Sequence, residues 1–381
     1  MSQNSIRLLP AICAATVVAI LVAGLWPRKF SPTNEVSWLD GRNGLRFHRY
    51  GIAYSPEPVA GLWSGPGEDH PVSVEMALKA DREAGRHLPR ILSLYDEKNG
   101  ETCFIGQWRS GIVLRRWVEE TRGKRAFRET GARSAFAGGG RRLIAVVSGD
   151  SGTAVYVDGK LENFDRGLVL SAGGRRRPSY LVLGNSPDGR NPWEGEIYGL
   201  SIYTRLLTAE EVSARYKAWL NDEGSVEAAG NGPILRYRFD ERAGSAARNS
   251  AGPGYGLEIP SVFLAPYRTV LAHGLRDLRL DRSSVKDIAV NVAGFIPFGC
   301  FFMAWISRTR PGTKGRAAFY VILLGFSISL AIELAQAYLP ARDSSAIDVA
   351  CNTLGTAAGS ALFVTAPFFD GRPTPRGRQT H

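Results

Sequence analysis

Hydrophobic positions follow two regimes along this chain. Towards both ends they run almost unbroken; through the middle they alternate with polar residues. Four stretches hold about 20 apolar residues each, the length a helix needs to cross a hydrocarbon core: residues 8–26, 288–306, 317–339 and 347–366. Between the first and second, residues 36–221 read as short strands separated by Gly, Pro, Asn and Asp clusters, for example 71–80, 90–96, 111–120, 142–149, 153–159 and 180–184. Ala154-Val155-Tyr156-Val157 alternates into Asp158-Gly159, a hairpin turn signal. Residues 207–220 close this region as a predicted helix, with Thr208 as N-cap and Glu211 completing a capping box. So many strands over that length predict a two-sheet sandwich rather than a small barrel.

Charge decides how the spans are oriented. The 381 residues carry 47 Lys+Arg against 36 Asp+Glu, a net +11. Arg308, Arg310, Lys314 and Arg316 lie between the second and third spans, and Arg372, Arg376 and Arg378 follow the fourth. By the positive-inside rule both segments are expected in the cytoplasm. The 340–346 loop, with its single Arg342, is then outside, as are residues 27–287, and both termini are inside. Arg28 and Lys29 oppose this orientation, but seven downstream cations outnumber them. The first span is read as a retained anchor, because its apolar run is long and Leu21-Val22-Ala23 is a poor cleavage site. Basic loops account for the net charge. With no basic–aromatic motif present, nucleic acid is excluded as a partner.

Cys103 is the only one of four cysteines (Cys13, Cys103, Cys300, Cys351) in the expected exported part, so no internal disulfide is available there. Paired carboxylates for glycoside hydrolysis are not apparent; Glu119 and Glu120 are neighbours that a strand would point to opposite faces. Asp150, Asp158 and Asp188 are candidate calcium ligands, with a turn role as the competing reading of each. No other cofactor is expected.

The run VYVDGKL (155–161), followed by LVLGNSPDGRNPWEGEIYGLSIYTRLLTAEEV (181–212), resembles the laminin-G, pentraxin and concanavalin-like jelly rolls, with NEVSWLDGRNGLRF (34–47) as an opening strand. That resemblance implies the sandwich fold and the binding of a glycan or a protein surface.

The spans carry a polar stripe. Asp287, Asn291 and Gly294 share one helical face; so do Ser329, Glu333 and Gln336, and again Asp348, Asn352, Gly355 and Gly359. With the orientation set by the basic loops, Asp287, Asn291, Glu333, Gln336, Arg342, Asp348 and Asn352 all fall at the outer ends of their helices, forming a candidate binding site. A carboxylate inside a span is a functional candidate by default. Glu333 and Asp348 paired with Arg342 could equally hold the helices together, and Gly355-x-x-x-Gly359 is an ordinary close-packing motif.

DIAVNVAGFIPFG (287–299) and SLAIELAQAYLPARDSSAIDVACNTLGTAAG (329–359) resemble the VanZ-like membrane family, matching at Asp287, Asn291, Phe295, Pro297, Gly299, Glu333, Gln336, Arg342, Asp348, Asn352, Gly355 and Gly359. The resemblance implies a bacterial membrane protein of a family in which some members are linked to glycopeptide resistance. It implies no particular activity. The jelly roll stands inserted between the first and second helices of that family.

The expected organisation is therefore a multidomain membrane protein of the bacterial inner membrane: an exported all-β jelly-roll sandwich joined to an α-helical transmembrane bundle of about four helices. Its parts are a first span at 1–27, the sandwich at 34–221, a linker and juxtamembrane segment at 222–286, VanZ-like helices at 287–366 and a basic cytoplasmic tail at 367–381. Within the linker, 234–244 reads as a strand. Residues 264–280 read as an amphipathic helix whose Arg268, Arg276 and Arg279, with Arg282 beyond it, would face lipid phosphates, or else as a plain linker. Three functions remain open: binding of a surface glycan or protein by the sandwich and of a lipid-linked or amphiphilic ligand by the helices; a membrane-embedded enzyme acting on an envelope glycan or lipid carrier, with Glu333 or Asp348 as acid or base; and a scaffold.

Overall fold

The computed structural model describes residues 3–26, 32–59, 71–85, 88–98, 100–119, 125–170, 179–221, 232–268, 270–271, 282–309, 312–339, 342 and 344–365. The chain divides into a β unit, Ser31–Arg268, and a helical unit formed by Met1–Phe30 and Thr269–His381.

Two eight-stranded antiparallel sheets make the β unit a sandwich. The first sheet runs β1 (Val36–Trp38), β2 (Leu45–Phe47), β13 (Gly195–Tyr203), β4 (Val72–Ala80), β9 (Arg142–Gly149), β10 (Gly152–Val157) and β11 (Lys160–Asp165), with β14 (Leu235–Tyr237) also on β13. The second runs β15 (Ala246–Ala247), β16 (Leu257–Glu258), β3 (Ala53–Tyr54), β12 (Tyr180–Leu183), β5 (Arg90–Asp96), β6 (Gly100–Trp108), β7 (Gly111–Glu119) and β8 (Arg125–Ala132). Alternate residues of both sheets meet in one core, where Phe47, Met76, Leu78, Phe239 and Trp193 are fully covered. The indole of Trp193 donates to Gln107 Oε1 at 2.9 Å, so its polar edge is satisfied inside that core.

The Asp158-Gly159 hairpin forms as the sequence predicts, with φ of 51° and 78°, the left-handed pair that this two-residue turn requires. Helix α2 (Ala209–Leu220) starts at Thr208, whose hydroxyl accepts from the Glu211 amide while the Glu211 carboxylate accepts from the Thr208 amide. The helix lies on the outer face of the first sheet through Val212, Leu207 and Tyr203.

Residues 235–258 add three short strands to the sandwich, within the segment expected to be a linker. The expected helix at 264–280 does not begin at 264: residues 264–268 are extended or bent. Two aromatic anchors fix them, Phe263 against Tyr50 at 5.7 Å and Tyr267 against Tyr95 at 5.8 Å, and Pro266 disfavours helical backbone at the residue before it. Arg276, Arg279 and the tail at 367–381 lie outside the described residues, as does the side chain of Arg282.

Among the described residues, four helices of the second unit are long and apolar enough to span a membrane: α1 (Gln3–Leu25), α3 (Arg282–Thr309), α4 (Lys314–Gln336) and α5 (Ala346–Thr365). Their polarity is inverted relative to a soluble bundle. Ser329, Asn352, Thr356 and Ser360 are buried, whereas Val290, Phe319 and Leu354 are exposed. That is the arrangement a hydrocarbon solvent favours. Helices α3 and α5 approach backbone to backbone: a Cβ on Gly355 would strike the Val292 carbonyl, and one on Gly359 the Ile296 carbonyl. Cys300 Sγ reaches the Gly359 carbonyl oxygen at 3.1 Å across the same contact.

Candidate functional site

The polar stripe closes around two helix ends. The C-terminus of α1 exposes carbonyl oxygens that no helical amide can satisfy. Gln336 donates from Nε2 to the Gly24 carbonyl at 2.8 Å. Arg342 donates from Nε to the Trp26 carbonyl at 2.8 Å and from its guanidinium to the Ala23 carbonyl at 3.1 Å. A cation and an amide donor therefore meet the negative end of the helix dipole.

At the N-terminus of α5 the polarity reverses. Glu333, 2% exposed, accepts from the Ser345 amide through Oε2 at 2.7 Å. Ser345 Oγ in turn accepts from the Asp348 amide at 3.4 Å, as an N-cap does. The buried carboxylate is thus placed against the positive end of a helix. The expected pairing of Arg342 with Glu333 and Asp348 does not form; Arg342 is turned instead onto the α1 carbonyls.

One turn deeper, Asn352 donates from Nδ2 to Ser329 Oγ at 2.9 Å, tying α5 to α4. Its Oδ1 is buried with no hydrogen-bond partner among the described residues. Thr356 lies beneath, against Gly325 of α4. The structure therefore gathers Glu333, Gln336, Arg342, Asp348 and Asn352 at one end of the helical unit. Asp287 is exposed at the start of α3 and Asn291 is half-buried; neither hydrogen-bonds to the other five. Ser329 and Ser345 belong to the site as well. Ser329 was legible in the stripe, and Ser345 could have been found as the N-cap three residues before Asp348.

In the β unit, Asp150, Asp158 and Asp188 sit in separate turns. Asp158 accepts from Arg142 Nη1 at 2.7 Å and from the Leu143 amide at 3.0 Å. Asp188 accepts from Ser186 Oγ at 2.5 Å and lies 3.7 Å from Arg190. Asp150 is exposed in the turn between β9 and β10. Among the described residues no group of three or more His, Cys, Asp or Glu is arranged to hold a metal.

Residues 246–368 match the model of the VanZ/LLP1 family, and residues 71–213 that of the concanavalin A-like lectin/glucanase superfamily. The chain carries a VanZ-like domain and a lectin-like sandwich. With three of the four apolar helices inside it, the VanZ-like domain makes this a membrane protein. No curated protein matches the chain in sequence. Among solved structures, the binding domain of Paraclostridial Mosquitocidal Protein 1 superposes with a TM-score of 0.37 at 15% identity, over 50% of this chain and 47% of that one. The receptor binding domain of botulinum neurotoxin D gives 0.36 at 12%, over 50% and 48%. A Bacteroides ovatus protein proposed to bind carbohydrate gives 0.36 at 11%, over 57% and 59%. This chain thus spans about half the length of the first two, and superpositions this loose add nothing to the argument from its own residues.

Proposed function

We propose that this is a bacterial cell-envelope membrane protein whose exported sandwich binds an envelope glycan, and whose VanZ-like helices hold the polar headgroup of a lipid-linked or amphiphilic ligand at their outer face. The observation that carries the reading is covalent: a lectin-like sandwich and a bundle of apolar helices with a polar end are one chain, so any glycan the sandwich holds is held at the membrane. Support for the headgroup site comes from Asn352, whose buried amide oxygen has no partner among the described residues. A polar group buried in that state costs free energy that a ligand donor would recover. Glu333 adds a buried carboxylate that accepts from the first free amide at the start of α5.

Two measurements test this. Reporter fusions near residues 225 and 343 should read as exported, and fusions near 312 and 375 as cytoplasmic. Purified full-length protein in nanodiscs should be retained on immobilised envelope polysaccharide from the host. A cytoplasmic signal at 225, or a protein that passes through that column unretained, overturns the proposal.

A further inference from the structure

The outer face of the second sheet carries a second apolar cluster, separate from the sandwich core. Ile52, Tyr95, Val182 and Phe263 are its buried members, with Tyr50, Tyr54, Tyr180 and Tyr267 packed around them. Its placement follows from register. Tyr180 pairs with Tyr95 across β12 and β5, while the next pair, Leu181 and Leu94, points into the core. Successive residues of a strand face opposite ways, so a tyrosine pair is put on the outside. Those two rings stack at 5.0 Å with an interplanar angle of 20°. The chain from 261 to 268 then crosses this face, tied down by the Phe263 amide to the Pro32 carbonyl at 2.8 Å and the Tyr267 amide to the Pro187 carbonyl at 3.0 Å.

Beside that crossing segment lies an open groove of 530 Å³, walled by Tyr54, Tyr95, Tyr180 and Tyr267 and bounded by Glu97 and Arg268. The volume lies within the range of about 300–1,000 Å³ found for small-ligand clefts. Tyr180 donates its hydroxyl to Glu97 Oε1 at 3.0 Å, which fixes both ring and carboxylate. Burial raises the titration of the Tyr95 and Tyr180 hydroxyls, so both remain protonated donors at physiological pH.

Three features of the groove define its occupant. The partly exposed rings of Tyr54, Tyr180 and Tyr267 offer flat apolar faces, which suit the C–H face of a pyranose. A carboxylate and a guanidinium at the rim together suit hydroxyl groups, which both donate and accept, better than a ligand of one sign. Buried Tyr95 backs one face of Tyr180, so the pair presents a single open ring face rather than enclosing a cage, which disfavours a quaternary ammonium. Resting on the glycan-binding reading above, we infer that this tyrosine groove is a sugar site that takes an uncharged hexopyranose unit of the glycan.

Binding of maltohexaose, cellohexaose and mannohexaose to full-length protein in nanodiscs tests the assignment, with phosphocholine as the competing probe. Wild type should bind at least one of the three hexaoses. Tyr180→Ala and Tyr267→Ala should each weaken that binding about tenfold through loss of a stacking face. Tyr180→Phe, which keeps the ring, should stay within about threefold of wild type. Phe164→Ala, an exposed aromatic on the first sheet, should change nothing. An unchanged circular dichroism spectrum for the alanine variants separates lost contact from lost fold. Hexaose binding that survives both alanine variants removes the groove but leaves the glycan-binding proposal standing. Retention on envelope polysaccharide without binding to any hexaose removes the uncharged-hexose assignment alone. Tighter binding of phosphocholine than of any hexaose also overturns it.

Discussion

The Arg342 guanidinium donates to the carbonyl oxygen of Trp26 at 2.8 Å and so ends helix α1. The loop between α4 and α5 thereby stabilises the first span, more than 300 residues away in sequence, through the helix dipole. Arg342→Ala should lower the unfolding free energy of the helical unit by about 1–2 kcal/mol. Arg342→Lys should recover less than half of that, because lysine lacks the planar fork that reaches two carbonyls together. Thermal unfolding in nanodiscs reads the difference, and an alanine variant as stable as wild type would remove the capping role.

Glu333→Gln should fold. Its amide oxygen can still accept the Ser345 N–H, and Arg342 keeps its α1 carbonyl partners. The expected change in stability is within about 1 kcal/mol, while ligand-dependent function, scored for example as a glycopeptide sensitivity phenotype, should be lost. Asn352→Leu is its companion, removing the amide that reaches Ser329. If both variants keep full function, or both fail to accumulate in the membrane, the headgroup site is wrong.

Gly359 and Gly355 set the distance between α3 and α5. A valine at either position would place Cγ methyls beyond a Cβ that already meets the Ile296 or Val292 carbonyl. Gly359→Val should cost about 3 kcal/mol or more, visible as loss of the folded band in detergent titration. Gly294, with nothing near its Cβ, is the control: Gly294→Ala should be neutral or slightly stabilising.

The capping box of α2 should make the β unit acid-sensitive. A hydrogen bond from Arg205 holds the Glu211 carboxylate down to about 2, with the Thr208 amide adding to the effect. A depressed folded-state value contributes stability above the unfolded value of about 4.3 and loses it as pH falls towards 2. Glu211→Gln should therefore melt lower than wild type at pH 7 by about 1 kcal/mol. That gap should close between roughly pH 5 and pH 2; a gap independent of pH would assign the effect to shape alone.

Cys103 is a free thiol in the sandwich core, 5% exposed, and burial pushes it up to about 12. It should resist alkylation at pH 8 in the folded protein and react after denaturation, as followed by site-resolved mass spectrometry. Cys103→Ser buries a hydroxyl among apolar neighbours and should cost about 1–2 kcal/mol. Ready labelling of the native protein would contradict its place in the core.

Much of this molecule is written locally. The four spans follow from unbroken apolar runs, the Asp158-Gly159 hairpin from two residues that tolerate positive φ, and the start of α2 from Thr208 and Glu211, because each depends on neighbours within a few positions in the chain. The polar stripe was legible for the same reason: a spacing of three or four residues keeps side chains on one helical face whatever lies opposite. The partners of that stripe were not. Charge alone suggests Arg342 beside Glu333 and Asp348, yet Arg342 serves the end of α1 and Glu333 the start of α5, since unsatisfied backbone groups at helix ends compete for the same side chains and only tertiary packing decides which end is near. The tyrosine groove was likewise invisible along the chain. Tyr54, Tyr95, Tyr180 and Tyr267 are scattered across more than 200 residues; strand register puts the first three on one face, and the crossing segment brings the fourth. Propensity and periodicity act over short separations and so determine the elements; which elements meet, and therefore which chemistry assembles, is fixed by contacts between residues far apart in sequence.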